Sequence, residues 1–114
     1  MLSSVHRMRD SEDFSITVRR GQKAGRTSLV VHVLPDAARR EAPMVGFVVS
    51  KAVGTAVERN RVKRRLRHLM RDEHISRLPA GSRVVVRALP AAAGAPSASL
   101  GIDLADALQR AGAW

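Results

Sequence analysis

Apolar and polar positions alternate along this chain in two different periods, and the changes of period mark its elements. Phe14 and Val18 stand four residues apart, between Ser11-Glu12-Asp13 and Gly21. Acids in a first turn and a glycine beyond the last predict a short helix over residues 11–20. From Arg26 to Leu34 the period falls to two, with Leu29, Val31 and Val33 on one face and Val30, His32 and Leu34 on the other. This β-branched run predicts a strand, which Pro35 ends. A polar connection over 36–43 leads to a second strand, Met44 to Ser50, with Val45, Phe47 and Val49 on one face, and the two are expected to pair as a hairpin. Arg83 to Leu89 predicts a further strand, bounded by Pro79-Ala80-Gly81 and Pro90. Residues 90–97, with two prolines and a glycine, read as a linker. A closing helix over 99–111 carries Leu100, Leu104, Ala107, Leu108 and Ala111 on one stripe. The order is α, β, β, α, β, α, and a further short strand at 22–25 or beside 51–53 is left open by the pattern.

The remaining helix is the most distinctive segment. Thr55 and Glu58 have the spacing of a capping box, and Val62, Leu66, Leu69 and Met70 recur as an apolar stripe. At 100° per residue, Asn60, Lys63, Arg64, Arg67 and Arg71 share the arc opposite that stripe; Arg61, Arg65 and His68 lie on one shoulder and Arg59 on the other. Residues 59–71 hold seven Lys and Arg and no acid.

Composition sharpens this. The chain of 114 residues has 20 Lys and Arg against 10 Asp and Glu, a formal net charge of +10. Outside residues 59–71, thirteen bases face ten acids, so most of the excess sits on one helix. Like charges so close are unfavourable by a few tenths of a kcal/mol per ~i,i+4 pair, and a polyanion relieves them. Six of the seven cations are Arg, whose planar fork pairs bidentately with phosphate. The length implies one domain over residues 1–114. There is no cysteine, which removes disulfides, zinc knuckles and thiol nucleophiles and fits a cytoplasmic setting. No apolar run reaches a membrane span, and no membrane partner is expected. Aromatics are 3%, too few for a broad base-stacking platform, so charge must dominate binding.

Enzymatic constellations are not visible. The acids group as Asp10/Glu12/Asp13, Asp72/Glu73 and Asp103/Asp106; the first reads as capping and dipole complementarity, the last as an exposed helix face. His6, His32, His68 and His74 are scattered, and there is no phosphate-binding loop, nucleophile elbow or dinucleotide fingerprint. No catalytic residue and no metal site on the protein is expected.

Met44-Val45-Gly46-Phe47-Val48-Val49-Ser50-Lys51, followed by Gly54-Thr55-Ala56-Val57-Glu58-Arg59-Asn60-Arg61-Val62-Lys63-Arg64, resembles the protein component of bacterial ribonuclease P: a strand ending in Ser-Lys, a glycine-bearing turn, and a helix opening on Arg-Asn-Arg. Arg7-Met8-Arg9, Asp13-Phe14 and Arg20-Gly21 extend the resemblance, which runs from about His6 to Pro90. It implies an α+β fold, a two-layer sandwich of the ribosomal protein S5 domain 2-like type in αβββαβα order. The sheet would be mostly antiparallel, with a left-handed βαβ crossover contrary to the usual hand.

The resemblance also implies a function. The protein would bind the catalytic ribonuclease P RNA and the 5′ leader of precursor tRNA, as a monomer within a ribonucleoprotein endoribonuclease. The RNA would carry the active site and its Mg2+ ions. Arg59, Asn60, Arg61, Lys63, Arg64 and Arg67 would face the catalytic RNA, while Phe14, His32 and Lys51 match positions of the leader cleft between the first helix and the sheet. Val18 stands where relatives often carry a second aromatic, His32 where they often carry Tyr, and Ala52 where a second lysine is common, which shifts leader binding from stacking toward cations. Charge and fold equally allow a structural, ribosomal-type RNA-binding protein. A major-groove DNA reader is disfavoured, because the basic arc offers Asn60 and little else for base readout.

Overall fold

A computed structural model describes residues 4–114. After a 3₁₀ turn at Ser4–His6, the elements are α1 (Ser11–Arg20), β1 (Gln22–Gly25), β2 (Leu29–Leu34), β3 (Met44–Val48), α2 (Ala56–Leu69), β4 (Arg83–Ala88) and α3 (Ser97–Arg110). The open question of an extra strand is thus settled at 22–25, and the αβββαβα order holds. Lys51–Val53 forms a 3₁₀ turn instead. No helix among the described residues is long and apolar enough to cross a membrane.

The sheet runs β1-β2-β4-β3, which corrects the expected hairpin. β2 pairs antiparallel with β1 on one side and β4 on the other, and β3 lies at the far edge, parallel to β4. The hairpin is β1–β2, closed by a tight turn in which Arg26 N–H donates to the Leu29 carbonyl at 2.8 Å. The nine residues of the β2–β3 connection easily span the ~10 Å across one intervening strand. β3 then returns through α2 to β4, the crossover that a parallel pair requires.

Strand alternation divides the sheet into two faces with different tasks. Leu29, Val31, Val33, Val45, Val84 and Val86 point into the main core, where they meet Val62, Leu66 and Met70 of α2 and the Leu100, Leu104, Ala107, Leu108 and Ala111 stripe of α3. The opposite face carries the cross-strand row Lys23, His32, Val85, Gly46 and, beside it, Leu34, Arg83, Met44. α1 lies over this second face. Its docking line runs through half-buried Phe14 and buried Thr17, so Val18 rolls outward to 45% exposure rather than facing the core with Phe14.

Caps set the helix limits. Asp10, one residue ahead of the sequence signal at Ser11, caps α1 by accepting from Glu12 N–H at 3.0 Å. The Thr55–Glu58 capping box forms reciprocally, with bonds of 3.0 and 3.2 Å. At its other end α2 widens into a π turn, Met70–His74, which buries both Met70 and His74. The last acidic pair is more than an exposed face: Ser28 N–H and Oγ both donate to Asp103, at 3.1 and 2.6 Å, and Arg26 pairs with Asp106 at 3.0 Å. α3 is thereby clasped to the β1–β2 turn.

Candidate nucleic-acid interface

The capping box aims α2 along the β3 edge of the sheet, and burial of Val62, Leu66 and Met70 fixes its rotation. With that face committed, the basic residues divide three ways. Asn60, Arg61 and Arg64 are exposed on the outer arc. Arg65 turns back to donate to the Ala95 carbonyl at 3.2 Å, and Arg71 pairs with Asp72 at 2.7 Å, so both are engaged within the protein. Lys63 and Arg67, with half-buried side chains, turn along the opposite flank.

That flank opens on a cavity of about 340 Å³ that wraps the β3 edge. Phe14 enters it from α1, Phe47 and Gly46 from β3, Arg7 and Arg9 from the segment that leads into α1, and Lys63 and Arg67 from α2. The N-terminal segment is held there by a bridge between Arg7 and Val45, and Met8 N–H donates to the Val45 carbonyl at 3.0 Å. Among the described residues, the charged lining is four cations and no acid. The ring of Phe14 beside such a field suits a single-stranded polyanion, whose phosphates meet the cations while a base stacks; Phe47, on the other face of β3, packs against the main core. A second cavity, of about 320 Å³ on the other flank of α1, is lined by Glu12, Asp13, Arg19 and Arg83. Its mixed charge gives it no comparable attraction for phosphate.

The basic residues of α2 lie differently from the helical-wheel placement. Lys63 and Arg67, grouped with Asn60 on the outer arc, stand with Phe14 in the cleft. The helical angle held this signal: Lys63 lies about 100° from Val62 and next to Met70 on the wheel, at the border of the buried stripe. Arg59 is half-buried, its Nε shielded and without a hydrogen-bond partner. Phe14 is half-buried, and its ring lies directly against Gly46.

His32 and Lys51 do not line this cavity. Lys51 is exposed in the 3₁₀ turn that follows β3. His32 is on the Phe14 side of the sheet but only 4% exposed, between Lys23 and Val85. Burial, reinforced by Arg87 and Lys23, pushes its pKa below the ordinary 6.5. Buried there, the imidazole is disfavoured from carrying a charge. Arg7, Arg9 and Gly46 carried no site assignment from sequence; they are recognisable only once the N-terminal segment is seen to pair with β3.

Comparison with known proteins shows the family and the fold. The family model Ribonuclease P matches residues 2–112. The chain is 56% identical over 114 residues to the ribonuclease P protein component of a Nocardioides species, covering 99% of this chain and 97% of that one. To the corresponding protein of Streptomyces avermitilis it is 56% identical over 117 residues, covering 96% and 94%. Among solved structures, the Staphylococcus aureus RNase P protein superposes with a TM-score of 0.83 at 25% identity, covering 95% of this chain and 96% of that one. The Thermotoga maritima protein, at 23% identity, shares the fold with a TM-score of 0.76 over 91% and 96%.

Proposed function

The chain belongs to the bacterial ribonuclease P protein family, a component of a tRNA-processing ribonuclease, and from that premise we propose how its two basic surfaces divide the work. The outer arc of α2, with Asn60, Arg61 and Arg64, docks on the catalytic RNA. The cleft of Phe14, Lys63 and Arg67 receives the single-stranded 5′ leader of precursor tRNA, with Lys51 extending the cationic track from the end of β3. The observation that carries this reading is the convergence, at one sheet edge, of an aromatic ring and charged lining residues that are all cations, beside a separately exposed basic arc.

In this reading the partner RNA holds the active site and its Mg2+ ions, and one water molecule is consumed as the leader is released. The protein contributes by holding two polyanions together. Neutralising phosphates near the scissile bond lowers the magnesium needed for the RNA to fold and bind substrate. Holding the leader makes an intermolecular encounter locally intramolecular.

The test is reconstitution with the catalytic RNA, measuring precursor cleavage at low magnesium with and without the protein, on substrates with and without a leader. Stimulation that depends on the leader is expected. Equal binding of RNAs without any stimulation of cleavage would instead mark a structural RNA-binding protein.

A further inference from the structure

Resting on the leader-cleft reading, we propose that Arg83 is a positioning residue for that cleft, acting through Asp13 to set where α1 presents Phe14. Arg83 opens β4 on the face that α1 covers, and its side chain is only 11% exposed. One arm of its guanidinium donates to Asp13 at 3.2 Å and the other to Asp36 at 3.4 Å. Arg39 approaches the same Asp13 carboxylate at 3.8 Å and Glu41 at 3.4 Å. Asp13 directly precedes Phe14, so this network ties the helix at the residue next to the ring.

α1 needs such a tie because little else fixes it. Its buried residue is Thr17, whose hydroxyl bonds back to the Asp13 carbonyl at 2.6 Å instead of reaching the sheet. Phe14 and Ile16 are half-buried and Val18 is exposed, so apolar docking is light and the ion pairs at Asp13 carry a larger share of the helix's placement. The other end of the clamp is rigid. Asp36 is held in a turn by accepting from Ala38 N–H at 3.1 Å. Gly81, at φ +81°, lets the backbone entering β4 pass against the Asp36 and Arg39 carbonyls, where a β-carbon has no room. Arg83 thus joins α1 to two fixed pieces of backbone, and its partly shielded position makes the pairs stronger than exposed ion pairs.

The consequence is specific to the leader. A loosened α1 moves Phe14 relative to Lys63 and Arg67, which sit on a different element, while the outer arc of α2 is untouched. In the reconstituted holoenzyme, Arg83→Gln should cut the affinity advantage of precursor over mature tRNA roughly fivefold, within the coupling range of contacting charged residues. Arg83→Lys, which keeps one charge and can still reach Asp13, should recover part of the loss. In a Phe14→Ala background, Arg83→Gln should weaken leader binding no further. An Arg83→Gln protein with a lower Tm but an unchanged precursor-to-mature ratio overturns the proposal, as does a full additional loss in the Phe14→Ala background. If Phe14→Ala alone leaves the ratio unchanged, it is the reading of the cleft that fails.

Discussion

The ring of Phe14 occupies the space that a β-carbon on Gly46 would fill: both its Cε1 and Cζ atoms would collide with one. Glycine in the middle of an edge strand is otherwise a poor choice, losing side-chain packing and gaining chain entropy in the unfolded state. Here its absent side chain is the floor of the cleft. Gly46→Ala is therefore expected to push Phe14 off the sheet. Overpacking of this kind costs about 1–3 kcal/mol, read as a fall in Tm, and leader affinity should fall with it. A normal Tm and undiminished leader binding would show that Phe14 can move aside freely.

Two groups of cations on one helix should be separable. Arg61→Ala or Arg64→Ala should weaken assembly with the catalytic RNA and flatten its salt dependence, by about one unit of slope per lost phosphate contact. Lys63→Ala or Arg67→Ala should spare assembly by comparison and reduce the preference for precursor over mature tRNA. Filter binding across a salt series, on the RNA and on both substrates, checks the division; identical profiles for all four variants would merge the two surfaces into one.

Much of this arrangement was legible in sequence. The capping box, the apolar stripes of α2 and α3 and the period-two strands each state their structure locally, because Thr55 and Glu58 need only each other, and Leu100 and Leu104 need only a common face. The sheet order was not. Strand pattern says which face of β2 is apolar but not which neighbour lies at each side, and the expected hairpin with β3 failed because β4, distant in sequence, takes that place. The same limit hid the cleft. Lys63 borders the apolar stripe on the helical wheel, but that it and Arg67 reach a cleft follows only from the β3 edge lying beside that flank, which leaves both side chains half-buried. Asp13 and Arg83 are 70 residues apart, and no periodicity links them.

The clasp between α3 and the β1–β2 turn makes a stability prediction independent of RNA. Ser28 is buried, and Asp103 accepts from both its backbone and its side chain. Asp103→Ala leaves a buried N–H unsatisfied, at a cost of about 1–3 kcal/mol. Ser28→Ala keeps the backbone bond and should cost less. At roughly 4 °C per kcal/mol for a chain of this size, thermal unfolding separates the two; an equal or inverse order would mean that the hydroxyl, not the backbone, carries the contact.

The C-terminus provides a pH dependence with a built-in probe. Trp114, the chain's one tryptophan, stacks on His74 with ring centres 5.6 Å apart and 19° between planes, and Arg77 lies 4.1 Å from the Trp114 ring. His74 is 3% exposed and neither ring nitrogen has a hydrogen-bond partner. Burial lowers its pKa from the ordinary 6.5 and Arg77 adds to that, against an opposing pull from Glu73. His32 is lowered in the same direction. Between these depressed values and 6.5 the unfolded chain binds more protons than the folded one, so stability rises with pH across that window. The contribution is present in full above 6.5 and is lost as pH falls through the folded-state values. Tm followed by tryptophan fluorescence should therefore drop between pH 7.5 and 5.5, before most carboxylates titrate. His74→Gln and His32→Gln, which cannot take up the proton, should each flatten that drop, whatever they do to Tm at pH 7.5. A wild-type Tm that stays level, or rises, on acidification would mean that these imidazoles are charged in the fold.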